Sequence, residues 1–282
     1  MPELIIDDMQ DGYREWVAYV AASGEERAPR GKPTRDVEDL TVVLRDPRKA
    51  LTEHIGRKAS TRLAALEAAQ LVAGESWPAL MTRVAPNTAQ FLSPDGTFHG
   101  AYGPRIKDAI PAVIRRLQQD PDSRQCVATI YDSARDLQDN HLVDVPCTVS
   151  LLYKITDGRL HAKTVMRSND VIWGVAHDVF MFTLLQRTMA EFMGLELGHY
   201  RHNAYSMHLY EDSWEVVDRM HAPTQPAQIV PPLWHEEWGV STDPQFTLDE
   251  WARGPRTYAT RLGANLAPRS EDPWWADMAW SW

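Results

Sequence analysis

Apolar residues recur at spacings of three and four between residues 174 and 193, and this pattern predicts a long helix with one buried face. The residues of that face are Phe180, Met181, Leu184, Leu185, Met189, Phe192 and Met193. A second helix is predicted over residues 60 to 74, because Ser60 is a suitable N-cap and Gly74 a suitable stop.

Strand-like sequence lies between these two helices. Residues 125–131 and 148–156 are rich in β-branched and apolar residues. The Asp157-Gly158 pair then separates the second run from a third, residues 159–167, which predicts a tight hairpin. Alternation in the third run places Leu160, Ala162, Thr164 and Met166 on one face, and His161, Lys163, Val165 and Arg167 on the other.

Other segments are predicted mainly from their composition. Residues 24–36 are polar and rich in Pro, Gly and Arg, which predicts a loop. Residues 198–206 favour a strand, and residues 207–220 favour a helix. Beyond about residue 222 the chain is rich in Pro and Trp, and we interpret this stretch as the divergent tail of a single domain that spans residues 1–282.

Composition narrows the class of protein. The chain has 282 residues, 44% of them hydrophobic, and a formal net charge of -10, which argues against a general nucleic-acid binder. Only two cysteines occur, so a reducing cytoplasm is the expected location. The acidic start does not resemble a signal peptide, and no apolar run approaches the ~20 residues of a membrane span, so no membrane partner is expected.

Cys147 follows Pro146 at the start of the predicted strand 148–156. A lone cysteine is often a small buried hydrophobic residue, whereas a nucleophilic cysteine needs a nearby cation to stabilise its thiolate. Cys147 and Arg167 lie ten residues either side of Asp157, so the predicted hairpin brings them together. This proximity favours a nucleophile without excluding a structural cysteine.

Three further features each allow two interpretations. Arg167 and Ser168 join a strand to a helix, where they could bind a phosphate or form an exposed turn. Asp178 lies near the start of the predicted helix, where it could be functional or could only interact with the helix dipole. His199 and His202 are three residues apart on a predicted strand and should point to opposite faces, so no metal site is predicted.

Together these residues resemble the thymidylate synthase and pyrimidine hydroxymethylase family. The family pattern is Pro-Cys, a hairpin, Arg-Ser-x-Asp, a Gly, an Asn and a later His-x-Tyr. This chain has PCTVSLLYKITDGRLHAKTVMRSNDVIWGVAHD and then GHYRHNAYSMHLY, so the stretch from Cys147 to Asp178 aligns without a gap. Within the family the resemblance is greatest to the cytidylate hydroxymethylases of mildiomycin-type nucleoside-antibiotic biosynthesis. It implies an α+β fold with a large, mostly antiparallel sheet covered by helices, and sheets stacked back to back in a homodimer.

The resemblance implies that Cys147 attacks C6 of a pyrimidine nucleotide. Arg167 and Ser168 would hold the 5'-phosphate, together with Arg30 from the N-terminal loop and Arg124 lent by the partner subunit.

The resemblance also implies roles around the sugar, the pterin and the transferred proton. His208 and Tyr210 would bind the sugar, and Asp170 would contact the pterin of the folate. Glu67 would organise water molecules and proton transfers, and Tyr102 would lie near the C5 proton.

Five positions depart from the family pattern. Gln125 replaces a second phosphate arginine, and Thr148 replaces the histidine after the cysteine. Ala176 and His177 replace Pro and Phe, and the smaller Ala176 is expected to make room near the sugar. Asp178 replaces the asparagine that recognises uracil.

The exchange at Asp178 predicts cytosine as the base. Uracil presents an acceptor at O4 and a donor at N3, which an amide satisfies, whereas cytosine presents a donor at N4 and an acceptor at N3. A carboxyl group pairs with the cytosine edge and can protonate N3. We therefore expect Cys147 and Asp178 to face one cavity that holds the base.

The expected reaction uses 5,10-methylenetetrahydrofolate as co-substrate and no metal. It would give 5-hydroxymethyl-CMP and tetrahydrofolate through an adduct between Cys147 and C6, since the bulky tryptophans that exclude water in the family have no clear match before Tyr102. The alternatives are dCMP as the substrate, a thymidylate synthase that methylates dUMP, and an inactive relative that only binds nucleotides.

Overall fold

The structure is a computed structural model that describes residues 2–52, 57, 60–138 and 142–221, with backbone only at residues 61 and 62. The predicted Pro- and Trp-rich tail lies outside the described residues, so the single domain over residues 1–282 stays a prediction. Within the described part, no helix has the length and apolar character needed to cross a membrane.

Eight strands are present in the described part of the chain, and all belong to one sheet. Their bounds are β1 Glu3–Ile6, β2 Glu25–Arg27, β3 Thr34–Leu44, β4 Val127–Thr129, β5 Thr148–Thr156, β6 Arg159–Met166, β7 Asn169–Asp170 and β8 Glu196–Tyr210. The main strand order is β1-β3-β8-β6-β5-β4, with β2 paired to β3 and β7 paired to β8. The predicted sheet is therefore confirmed.

The sheet is mixed, with antiparallel pairing in its longest contacts. β3 and β8 pair antiparallel over most of their length, and β5 and β6 form the predicted hairpin. β6 pairs parallel with β8, because helix α7 carries the chain across between them. Asp157 and Gly158 have φ of 53° and 70°, as a two-residue hairpin turn requires.

Eight α-helices accompany the sheet in the described residues: α1 Met9–Ser23, α2 Thr61–Ala73, α3 Pro78–Val84, α4 Gly103–Ile106, α5 Ala109–Gln119, α6 Ser133–Asp136, α7 Val175–Phe192 and α8 Trp214–His221. The predicted caps of α2 are confirmed: Ser60 Oγ accepts from Leu63 N at 3.2 Å, and Gly74 is left-handed with φ of 69°. The α+β class is confirmed.

The hydrophobic core lies between the helices and one face of the sheet. The predicted inner face of β6 is buried at Leu160, Ala162, Thr164 and Met166, whereas the opposite face is more open. Helix α7 is present where its periodicity predicted it, but it is buried on most sides rather than on one face alone. It packs against α2 and strands β6 and β8, so its first turn lies close to the start of the hairpin.

Three predictions of local structure need correction. The segment 207–220 was predicted as a helix, but β8 continues to Tyr210 and helix α8 begins only at Trp214. The predicted loop 24–36 contains β2 and the first residues of β3. One contact accounts for much of both errors, because Thr34 pairs with Tyr210 and Asp36 with His208, and β2 adds to the same region by pairing with β3. The third correction concerns the predicted strand 125–131, of which only Val127–Thr129 forms a strand.

A buried ion pair fixes the loop that leads into α4. Asp136 is 3% exposed and accepts two hydrogen bonds of 2.8 Å from Arg105, one from Asp132 N and one from His99 Nε2. Burial alone would raise the pKa of Asp136, but these hydrogen bonds hold it well below its usual range. The pair therefore anchors the segment that carries Tyr102.

We predict that Asp136→Asn lowers the free energy of unfolding by about 3 kcal/mol at pH 7, because one partner of a buried pair is lost. Because the pKa of Asp136 is depressed, its stabilisation is present above the ordinary carboxyl range and is lost as pH falls through the folded-state pKa. Urea unfolding at pH 7 and pH 3 measures both effects. As a control, Asp7→Asn breaks the exposed Arg45 pair and should cost less than ~0.5 kcal/mol; equal effects of the two changes would contradict the prediction.

Candidate active site

Cys147 lies immediately before β5, where the end of β6 returns beside it. Arg167 N donates to Cys147 O at 2.9 Å, so the predicted proximity of these two residues is confirmed. The Arg167 guanidinium also donates to Pro146 O at 2.9 Å and to Val145 O at 3.0 Å. These bonds fix the peptide backbone that presents the thiol.

The electrostatic surroundings of Cys147 contain charges of both signs. Burial raises the pKa of the thiol, and Arg167 opposes this effect. The carboxylates of Asp178 and Asp144 raise it further, whereas Arg30 lowers it. The cation predicted beside the thiol is present, but its effect does not outweigh burial.

Cys147 lines a large surface groove, which we call the Cys147 groove, with a volume of 1660 Å³. Its positively charged side chains are Arg27, Arg30, Lys32 and Arg167. Arg30 and Lys32 come from the turn between β2 and β3, where Arg30 has a φ of 53°, and Arg27 is the last residue of β2. Among the described residues, four carboxylates, Glu25, Asp36, Glu38 and Asp144, also line the groove, and Glu25 pairs with Arg27. Guanidinium groups such as those of Arg30 and Arg167 suit an anionic ligand such as a phosphate.

The predicted sugar and phosphate residues meet in the same groove. Ser168, His208 and Tyr210 all line it. Ser168 Oγ lies 3.4 Å from His208 Nδ1, and the rings of His208 and Tyr210 pack edge to face with centroids 5.0 Å apart. Lys32 Nζ lies 5.9 Å from the centre of the Tyr210 ring.

A second, smaller cavity of about 300 Å³ lies between α2, α3 and α7, and we call it the Glu67 cavity. Its apolar wall is formed by Leu71, Met81, Phe91, Phe98 and Met181. Its polar wall is formed by Glu67, Gln70, Glu75, Ser76, Thr88, Tyr102, Asp144 and Asp178. Apolar walls with a few placed polar groups are typical of sites for flat heteroaromatic ligands.

Glu67 and Tyr102 are held by neighbours on α7. Glu67 Oε2 lies 2.8 Å from His177 Nδ1. The ring of Tyr102 stacks on that of Phe182, with centroids 6.0 Å apart. Burial raises the pKa of Tyr102 well above its ordinary value, and the Asp178 carboxylate adds to this effect, so the phenol stays protonated.

Asp178 lies in the first turn of α7 and faces the Glu67 cavity. Asn169 Nδ2 donates to Asp178 Oδ2 at 2.7 Å. Burial raises the pKa of Asp178 to about 7; Asn169 and His177 oppose this shift, and the Glu67 carboxylate adds to it. Asp178 can therefore hold a proton near neutral pH, which an exposed aspartate cannot.

The expectation of one common cavity for Cys147 and Asp178 needs correction. Cys147 lines the Cys147 groove, and Asp178 lines the Glu67 cavity. The two spaces meet at Phe91 and Asp144, which line both. Asp178 is still close enough to raise the pKa of the Cys147 thiol, so the two residues lie near each other although they line different spaces.

Three predicted site residues line neither of these two spaces. Arg124 is exposed in the turn before β4. Ala176 is 3% exposed within α7, so the space it was expected to leave near the sugar is not in the groove. Asp170 Oδ1 accepts from Ile172 N and Trp173 N, and burial raises the pKa of its carboxyl group.

Sequence reasoning missed three residues of the site. Asp144 was not singled out, although it lines both spaces and accepts from Gly100 N at 2.8 Å. His177 was noted only as a departure, and Asn169 only as part of a turn. The adjacent Arg-Ser-Asn-Asp run was the available signal for Asn169, but its contact with Asp178 depends on the pairing of β7 with β8.

Comparison with known families identifies the class of protein that this geometry belongs to. The model of the thymidylate synthase family matches residues 58–237, which is more than half of the chain. The chain therefore belongs to the thymidylate synthase family. Within the described residues, no cluster of three or more His, Cys, Asp or Glu side chains could hold a metal ion.

Two relatives from bacteriophages are similar to this chain. It is 29% identical over 219 residues to the deoxyuridylate hydroxymethyltransferase of Bacillus phage SP01. The aligned region is 72% of this chain and 57% of that protein. It is 28% identical over 213 residues to the deoxyuridylate hydroxymethyltransferase of Pseudomonas phage M6. The aligned region is 73% of this chain and 60% of that protein. The chain thus spans somewhat more than half the length of these relatives.

Proposed function

We propose that the protein transfers a one-carbon unit from 5,10-methylenetetrahydrofolate to C5 of cytidine 5'-monophosphate and hydrates it, which gives 5-hydroxymethyl-CMP and tetrahydrofolate. The observation that carries the proposal is the carboxyl group of Asp178. It stands where the family has an asparagine, it holds a proton near neutral pH, and it is close to the Cys147 thiol. Membership of the thymidylate synthase family supports the one-carbon chemistry.

The covalent steps assign separate work to the residues of the site. The Cys147 thiolate adds to C6, and Asp178 supplies the proton that N3 needs as C5 becomes nucleophilic. C5 bonds the one-carbon unit while that carbon is still attached to a folate nitrogen. The C5 proton then leaves near Tyr102, the bond between the carbon and the folate nitrogen breaks, and the nitrogen takes up a proton. An exocyclic methylene group and free tetrahydrofolate remain. Water adds to the methylene carbon as Cys147 departs from C6. One water is consumed and no group is oxidised or reduced.

The Cys147 groove supports binding of a nucleoside monophosphate. Arg30, Arg167 and Ser168 share this groove with the nucleophile, as a 5'-phosphate close to the reacting base requires. Arg167 binds the backbone at Cys147 as well, so a phosphate on its guanidinium would be coupled to the position of the thiol. A bound phosphate also adds negative charge that Arg30 and Arg167 can pair with.

The Glu67 cavity supports addition of water to the exocyclic methylene carbon rather than its reduction to a methyl group. None of the described residues that line it is a tryptophan, and Glu67 is joined there by Gln70, Glu75 and Ser76. Ser76 Oγ is buried without a hydrogen-bond partner among the described residues. Such a wall accommodates water beside the methylene carbon, and its apolar side suits the pterin of the folate.

A ribose is supported by an acceptor at the sugar end of the groove. Asp36 lines the groove and is the register partner of His208. Its carboxylate accepts from Ser206 Oγ at 2.5 Å, which leaves further acceptor capacity. A carboxylate beside His208 can bind a second sugar hydroxyl, so we favour CMP over dCMP.

A homodimer is proposed from the open face of the sheet. Val127, Leu152, Lys163, Arg201 and Val43 form one continuous row across five strands on the face away from the helices. On the same face Val127 and Tyr205 are 44% and 61% exposed. Burying this face against a second copy would remove apolar surface from water, and Arg124 would then belong to the partner's phosphate site.

Deoxyuridylate is the second candidate substrate, because the two phage relatives carry it in their names. The same residues would perform the same hydroxymethylation on that base. The two candidates differ at Asp178, where an ionised carboxylate facing O4 of uracil would be unpaired at a cost of about 1–3 kcal/mol.

The first test of the proposal is product analysis. We expect tritium release from 5-tritiated CMP in the presence of 5,10-methylenetetrahydrofolate, and a product that is heavier than CMP by one CH2O unit in the mass spectrum. Dihydrofolate absorbance should not rise. Parallel reactions with dCMP, UMP and dUMP rank the substrates. Cys147→Ala should release no tritium because no adduct forms; release at the wild-type rate in that variant would contradict the covalent mechanism.

The base assignment is tested by Asp178→Asn. The amide should lower kcat/KM for CMP by about 100-fold, because the cytosine edge loses its complementary partner, and should raise it for UMP. Tritium release from the two 5-tritiated nucleotides measures both values. Unchanged activity on CMP with none on UMP would sink the pairing with cytosine.

The lending of Arg124 is tested by mixing two inactive variants, Arg124→Ala and Cys147→Ala, after joint unfolding and refolding. Half of the dimers should be mixed, and each would hold one intact site, so about one quarter of the wild-type activity should return. Arg30→Ala mixed with Cys147→Ala is the control, because Arg30 and Cys147 line the groove of the same subunit. No recovery with Arg124→Ala, or equal recovery in the control, would refute the assignment.

A further inference from the structure

A chain of buried polar side chains crosses the core and ends at Asp178. Tyr200 Oη lies 2.8 Å from Thr164 Oγ1 and 2.9 Å from His202 Nδ1. His202 Nε2 lies 2.9 Å from Asn169 Oδ1, and Asn169 Nδ2 donates to Asp178 Oδ2 at 2.7 Å. The chain joins β6, β8 and β7 to the first turn of α7.

These side chains are shielded from water. Thr164, Tyr200 and His202 are each 1% exposed, and Asn169 is 4% exposed. Burial lowers the pKa of His202 to about 3, so its ring is neutral and carries one N–H. Polar groups in such a place are costly to leave unpaired, so the network holds the Asn169 amide in one orientation.

The glycine before α7 makes room for the final bond. A Cβ atom at Gly174 would lie 2.5 Å from Asn169 Nδ2 and 3.2 Å from Asp178 Oδ2. A side chain at this position would therefore push the amide and the carboxyl group apart. The close approach of Asn169 to one oxygen of Asp178 is a built feature of the backbone at this point.

A protonated carboxyl group has one donor oxygen and one acceptor oxygen, so it can pair with either pyrimidine. With the O–H toward N3 it matches cytosine, which accepts at N3 and donates from N4. With the O–H toward the exocyclic group it matches uracil, which donates from N3 and accepts at O4. The base that is selected depends on which oxygen carries the proton.

We infer that Asn169, held by His202, is a positioning residue that keeps the proton of Asp178 on Oδ1 and thereby selects cytosine over uracil. Donation from the amide uses Oδ2 as an acceptor and disfavours a proton there. Cytosine is matched when Oδ1 faces N3 and Oδ2 faces N4. The inference rests on the proposed function and adds the residue that makes the carboxyl group discriminate.

Other groups act on Asp178 through their charge rather than on one oxygen. Glu67 on α2 and His177 on α7 shift the pKa of Asp178. The Asp178 carboxylate in turn raises the pKa values of three nearby groups: Tyr102 before α4, Cys147 before β5 and Tyr200 on β8. Among the described residues, Asn169 makes the side-chain hydrogen bond to the carboxyl group. The selection is therefore assigned to Asn169.

The test compares binding and turnover of CMP and UMP in the wild type and in Asn169→Leu. Equilibrium binding of each nucleotide is measured by calorimetry, and kcat/KM by tritium release across pH. The preference for CMP should fall at least ~10-fold, about 1.4 kcal/mol. The alkaline limb of the CMP profile should move to higher pH, because the Asn169 bond lowers the pKa of Asp178. A purely structural role would not move this limb.

Two pairs of variants keep the result decisive. Gln186→Leu removes another buried amide, which lies on α7 and donates to backbone carbonyls such as Leu160 O, and it should leave the base preference unchanged. His202→Leu should lower the preference as Asn169→Leu does, whereas His202→Gln keeps a donor for Asn169 and should restore it.

The outcomes separate the inference from the function beneath it. A wild type that prefers CMP, with an Asn169→Leu variant of equal preference and unmoved profile, overturns the role of Asn169 alone. Equal preference for CMP in His202→Leu and His202→Gln would likewise overturn the role of Asn169 alone. A wild type with no preference for CMP overturns the cytosine assignment, and the role of Asn169 with it.

Discussion

The site depends on the closure of the β5–β6 hairpin at Cys147 and Arg167. Arg167 N donates to Cys147 O, and the guanidinium of the same residue binds the two carbonyls before the cysteine. One arginine thus fixes the nucleophile from its backbone side while its side chain also lines the groove. The chain then leads directly through β7 into α7, so the placement of Ser168 and Asp178 near the thiol follows from this closure.

The electrostatics of the site set carboxyl groups against a thiol that must ionise. Asp178 and Asp144 both raise the pKa of Cys147, in a chain that is already strongly acidic. Arg30 and Arg167 oppose them from the groove, where an anionic ligand would bind. In the proposed function, phosphate binding, base recognition and the reactivity of the thiol would therefore be coupled through a few charges rather than through a general positive field.

Much of the fold could be predicted from local sequence because local rules determine it. The periodicity of α7, the caps of α2 and the Asp-Gly turn each depend on residues close together in the chain, and each prediction was confirmed. The predictions for segments 24–36 and 207–220 were wrong in part because residues 34–37 and 207–210 extend their strands by pairing with each other. Within the first segment, β2 is only three residues long and pairs with residues 34–36. No periodicity within either segment reports that long-range contact.

The candidate site shows the same division. The proximity of Cys147 and Arg167 followed from the hairpin alone. In contrast, Cys147 and Asp178 line different spaces that meet at Phe91 and Asp144, and neither of these two residues belongs to a predicted helix or strand. Asn169 belonged to a run that allowed two interpretations, a phosphate site or an exposed turn. It is buried because a two-residue strand pairs with β8, a contact too short to leave a sequence signal.

The tether at Asp136 has a consequence for how this family member can diversify. Arg105 binds Asp136 and also the carbonyls of His99 and Ile130, and Gly100 N binds Asp144 at the wall between the two spaces. An insertion or deletion between residues 99 and 105 would displace Arg105 from its partners and leave the buried Asp136 carboxylate unpaired. Changes of length that alter the entrance to the site are therefore confined to the neighbouring stretches, and the peptide that carries Tyr102 is inherited as a unit.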